Sequence, residues 1–167
     1  MTLGLSLGAF TLLHVAISLI AIVAGVIVMF AMFRGDRMPG LTAIFLLFTI
    51  LTSVTGFMFP FTELLPSHVL GIISLVLLAI ACVALYGLKM AGIWRSIYVV
   101  TALTSLYLNV FVLVVQTFLK INTLHELAPG NPPSGLSFAA VQGIVLLFFL
   151  VMIVFDLRRY RPGQAAA

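Results

Sequence analysis

The residues of this chain best suited to chemistry are His14, His68 and His125, the amides Asn109 and Gln116, and the carboxylates Glu63 and Glu126. Imidazole nitrogens can ligate a metal or haem iron and can take or give a proton near neutral pH. A bis-histidine haem b needs two neutral imidazoles at one depth on facing helices, with small residues beside them to admit the macrocycle. His14 and His68 suit that role, with Ser18 and Gly71 giving room, and three histidines in total allow at most one such haem. A copper or zinc ion would draw on His14, His68 and His125 with Glu63 or Glu126, which requires the segment around 125 to fold inward. His125-Glu126 lacks the second histidine of the zinc-protease helix, and no Cys or Met cluster stands near it to suit copper(I). A quinone pocket would combine an apolar slot with a His or Gln hydrogen-bonding each ring oxygen, a role open to His14, His68 and Gln116.

The elements that must position these residues are set by composition. Of 167 residues, 63% are hydrophobic and 7% charged, and the mean hydropathy is +1.33, which excludes a water-soluble domain and makes the lipid bilayer the first partner. The net charge of +4 comes from basic residues at the ends of apolar runs, where they fix topology, so no nucleic-acid partner is expected. Cys82 is the single cysteine, and its place inside an apolar run excludes an internal disulfide and a quinone-coupled disulfide oxidase.

Apolar runs of about 20 residues predict an all-α, five-span transmembrane bundle forming one domain over 1–167, with spans at 8–33, 41–59, 67–88, 96–119 and 137–157. No basic residue precedes the first run, which is longer than a signal core, so it is expected to be a retained helix. With the N-terminus outside and the C-terminus cytoplasmic, seven of the eight basic residues fall inside and only Lys120 outside, as the positive-inside rule requires. Trp94, Tyr98 and Tyr160 are then expected at the inner interface. His14 lies 20 residues before Arg34, His68 lies 21 before Lys89, and Gln116 lies 21 after Arg95. At about 1.5 Å per residue all three reach one level near the outer face.

Small and polar residues mark the faces that should turn inward. On the first span Gly4, Gly8, Thr11, His14, Ser18, Ala21 and Gly25 recur at spacings of three and four, a pattern that favours close helix packing. Thr42, Thr49, Thr52, Ser53 and Gly56 do the same on the second, and Gly71 and Ser74 follow His68 on the third. Thr101, Ser105, Asn109 and Gln116 align on the fourth, where Asn109 is expected to hydrogen-bond to a neighbouring helix. Thr123 with Glu126 fits a capping box for a short outer helix stopped by Pro129, which would bring His125 and Glu126 to the outer mouth along with Gln142 and Glu63. Asp156, Arg158 and Arg159 read as a snorkelling, topology-setting terminus.

The plainer account of these polar residues is that they sit at an interface and that the Ser and Thr hydroxyls bond to the backbone one turn earlier. Several enzyme classes are excluded by missing residues: the G-x-S-x-G elbow, paired intramembrane carboxylates and histidine-rich hydroxylase clusters are all lacking. A monomeric ion-coupled transporter is disfavoured, since no charged residue sits mid-membrane and five spans cannot divide into equal repeats.

The stretch from Leu108-Asn109-Val110 through Gln116-Thr117-Phe118-Leu119-Lys120 to Leu124-His125-Glu126-Leu127-Ala128-Pro129 resembles a group of small, uncharacterised bacterial integral membrane proteins that end in a further apolar span. The likeness covers roughly the last third of the chain. It implies a multi-pass protein of the bacterial inner membrane and brings with it no activity, cofactor or catalytic residue. His14-Val15-Ala16 and Ser67-His68-Val69-Leu70-Gly71 also resemble haem-bearing helices of small membrane cytochromes b. Two functions are therefore expected in competition. One is a non-catalytic accessory or interaction subunit with a polar, histidine-containing cavity opening to the outer face, held to a protein partner, or to its own copies, by small-residue faces. The other is a redox or cofactor-binding protein using His14, His68 and Gln116 for a haem, a metal ion or a quinone.

Overall fold

The computed structural model describes residues 4, 6–59 and 66–161; Glu63 lies outside them. The described residues are helical throughout their regular structure. Five helices are long and apolar enough to cross a membrane: α1 (Leu7–Arg34), α2 (Pro39–Gly56), α3 (Pro66–Cys82, continued by a π-helical turn Val83–Gly87), α4 (Trp94–Lys120) and, after the short α5 (Asn122–Leu127), α6 (Leu136–Arg159).

Local chemistry sets the helix ends. Ser6 caps α1, its hydroxyl accepting from Ala9 N at 3.3 Å, and Gly35 closes the helix in the left-handed region (φ 81°), its N–H bonding to Ala31 O and Met32 O. Glycine takes that conformation without the Cβ clash another residue would meet. α2 starts at Pro39, where a missing N–H costs nothing. The predicted capping box at Thr123 does not form: α5 begins at Asn122, and its N-cap is Ile121, two residues before Thr123, with no side-chain cap.

α1 to α4 each pack against the next helix in the chain, α4 also touches α1 and α2, and α6 packs on both α4 and α1. The bundle has two unlike halves. The basic end holds Arg34, Lys89, Arg95 and Arg159, and there large apolar side chains fill the interior, among them Met29, Met32, Phe45, Leu46, Leu103 and Phe149. Tyr98 and Tyr160 belong to this core, 1% and 5% exposed, with ring centroids 6.5 Å apart, so they are turned into the bundle at the level of the helix ends. Their rings are large enough to fill the space between the helix ends.

One further expectation at this end is corrected. Asp156 is completely buried and neither carboxylate oxygen has a hydrogen-bond partner among the described residues, whereas Arg158 and Arg159 remain exposed. Arg95 ties α4 to α6: its guanidinium donates to Leu157 O at 3.0 Å and to Tyr160 O, satisfying carbonyls that the end of α6 leaves open. Arg95→Met is expected to loosen this end by about 1–2 kcal/mol, since bonds from a charged donor to half-buried carbonyls are lost. Thermal unfolding in detergent measures it, and an unchanged midpoint would show that water serves those carbonyls equally well.

Gly25 marks where the halves meet. A Cβ placed there would lie 2.6 Å from Leu106 Cδ1 and 2.8 Å from the Phe45 ring, so α1, α2 and α4 approach as closely here as a residue without a side chain permits.

Candidate functional site

Beyond Gly25 the inward faces carry Ser18, Thr52, Ser53, Gly56, Gly71 and Ser74, residues too small to meet across the bundle. They leave a cavity of about 600 Å³ walled by α1, α2, α3 and α4, within the ordinary range of small-molecule sites. His14, His68, Asn109 and Gln116 all line it. Lys120, the single basic residue at this end, lines its mouth.

Each imidazole is held by a residue near the end of α2. His14 Nδ1 lies 2.7 Å from Thr55 Oγ1, and that hydroxyl is 2.7 Å from Leu51 O. A hydroxyl has one hydrogen, and a carbonyl can only accept, so Thr55 gives its hydrogen to Leu51 and accepts from His14 Nδ1–H. In the neutral ring this assigns the proton to Nδ1 and leaves the lone pair on Nε2. Phe59 meets the His14 ring edge-on, with centroids 5.2 Å apart, and Phe57 stacks on His68 at 5.7 Å and 27°. His68 is 5% exposed. Gly71 accommodates Phe57, whose ring a Cβ there would meet at 3.0 Å.

Asn109 departs from expectation. It makes no bond across to another helix; its Nδ2 is buried without a partner among the described residues in the cavity wall. An unmet amide donor in a low-dielectric site costs about 1–3 kcal/mol, a cost that a bound acceptor would relieve. The hydroxyls behave as the plainer account holds: Ser18, Thr52, Ser53 and Thr117 donate to the carbonyl one turn earlier. They shape the cavity by their size and are not available as donors.

His125 and Glu126, by contrast, lie exposed on α5 and are not among the lining residues. Among the described residues no three His, Cys, Asp or Glu side chains come together as a metal set, so the His14, His68, His125 and Glu126 grouping is not assembled. The reason is geometric: α5 runs as a separate helix beyond the end of α4, so its side chains are not carried inward. Gln142 does not reach the mouth either. Its Nε2 donates to Phe111 O at 3.1 Å in the seam between α6 and α4.

Two lining features were missed from sequence. Phe57 and Phe59 looked like ordinary apolar residues at the end of a span, and only their spacing of two beside Gly56 distinguishes them. Thr55, which supports the lining from behind, was not singled out, because its bond to His14 depends on α1 and α2 being neighbours. No protein-family model, curated protein or solved structure matches the chain.

Proposed function

We propose that this chain is a multi-pass protein of the bacterial inner membrane, N-terminus outside, that binds a lipophilic quinone-class molecule in the outer half of its bundle. The orientation rests on the seven basic residues gathered at the packed end. One observation carries the binding reading: His14, His68, Asn109 and Gln116, from three helices, converge on one largely apolar cavity, the pattern of a few polar groups on an apolar wall that marks ligand sites.

The polarity of these groups favours the reduced form of the ligand. Nε2 of neutral His14 accepts a hydrogen bond, so it suits the hydroxyl of a quinol and leaves the carbonyl of a quinone unmet. Asn109 Nδ2 supplies a donor for a second ligand oxygen. The competing account, an accessory subunit joined to a partner by small-residue faces, is weakened because much of those faces is turned into the chain's own bundle: Ala21 and Gly25 are buried, and Ser53 and Ser74 line the cavity without being exposed.

In equilibrium binding to the protein in lipid nanodiscs, decylubiquinol is expected to bind about fivefold more tightly than decylubiquinone, the value of one net hydrogen bond. His14→Ala should abolish that difference, and Asn109→Leu should weaken both forms while stabilising the empty protein. Equal binding of both forms with His14→Ala silent would refute the assigned role of His14. An absorption spectrum of the same preparation, oxidised and dithionite-reduced, tests the haem reading: a Soret band lost in the His14→Ala, His68→Ala double variant would replace the quinol with a haem.

A further inference from the structure

We infer that the cavity opens sideways into the bilayer between α1 and α4, so that its ligand is an amphiphile loaded from the membrane and not a solute drawn from water. The inference deepens the binding reading above and rests on it for the ligand, though not for the opening itself.

A residue that lines a cavity and yet remains exposed marks its rim. On α1 these are Val15 and Leu19, 39% and 44% exposed, and on α4 they include Leu113 at 37%, with Gln116 and Lys120 following at the helix end. None of the described lining side chains of α2 or α3 is exposed. The seams between α1, α2 and α3 are closed by rings: Phe59 lies between Phe10 and His14, and Phe57 covers His68 and Gly71. α1 and α4 meet at Gly25 and Leu106, which makes the foot of the gap. At the level of the rim α6 does not cover it: there α6 packs on the side of α4 away from the cavity, through Tyr107, Phe111 and Phe118, and it reaches α1 only towards the basic end, where Phe155 meets Phe33.

The rim is sorted by depth. Leu19 lies 15 residues from Arg34 and Leu113 lies 18 from Arg95, which at about 1.5 Å per residue places both within a hydrocarbon layer about 30 Å thick. Gln116 and Lys120 lie one and two turns further, at head-group level. The gap is therefore apolar where acyl chains lie and polar where head groups lie, matching a molecule with a tail in the membrane and a polar ring drawn in toward His14.

The opening is tested without any ligand by a nitroxide attached at Ser18→Cys, in a Cys82→Ser background, in nanodiscs. Dissolved oxygen is expected to relax the label strongly and an aqueous nickel chelate weakly, and Leu19→Trp with Leu113→Trp should remove the oxygen effect by filling the gap. Strong relaxation by the chelate would show a mouth open to water. Relaxation by neither would show the gap covered by a second copy or another segment; either result overturns the inference. Exchange of bound decylubiquinol with vesicles then tests the ligand: the double tryptophan variant should lose it, while Ile144→Trp on the far face of α6 should not. Oxygen access with no quinol bound by the parent protein would leave the opening standing and remove the quinone reading alone.

Discussion

Gly25→Ala is expected to destabilise the bundle by about 1–3 kcal/mol, the usual cost of overpacking a filled interior, although alanine is the better helix former. The added methyl would sit 2.6 Å from Leu106 Cδ1 and 2.8 Å from two atoms of the Phe45 ring. Both neighbours are wholly buried, so neither can swing aside without displacing the next layer. Gly143 on α6 supplies the contrast. Nothing lies within 4 Å of a Cβ built there, and Gly143→Ala should gain up to about 1 kcal/mol from propensity alone. Unfolding in mixed detergent micelles compares the two. If both substitutions shift stability in the same direction, α1 and α4 are free to slide apart and the Gly25 contact does not fix the foot of the cavity.

Asp156→Asn is expected to raise stability by about 1–3 kcal/mol, the reverse of what removing a charge from a salt bridge would do. The carboxylate is fully buried, with no donor to either oxygen among the described residues. Asparagine has nearly the same shape, carries no charge to desolvate, and its amide can donate to the carbonyl one turn earlier in α6. Its unfolding midpoint, set beside that of the parent protein at neutral pH, decides the matter. A fall of about 3 kcal/mol or more would instead identify an ionised carboxylate held by a cation.

The five spans were legible because a bilayer imposes a length of apolar sequence and punishes charge inside it, and both constraints act residue by residue along the chain. Helix ends fell within a few residues for the same reason: Arg34, Lys120 and Arg159 close their helices where the apolar runs stop. The common depth of His14, His68 and Gln116 was also a matter of counting, since rise per residue is fixed.

What counting could not supply was which helices touch. Thr55 fixes the His14 tautomer only because α1 and α2 are neighbours, Gln142 is turned away only because α6 lies behind α4, and α5 withholds His125 and Glu126 by running on beyond the bundle. Asp156 is the sharpest instance: its sequence neighbours Arg158 and Arg159 argue for a solvated helix end, yet a 100° turn per residue puts it on the buried face with Phe149 and Met152 while they stay outside. The sequence alone determined the five helices long and apolar enough to cross a membrane and the shared level of His14, His68 and Gln116 along them, because length, hydropathy and rise belong to each segment by itself. Only the tertiary structure decided the walls of the cavity and the partners of its polar groups, because these depend on the order of helices around the bundle, which side-chain packing selects.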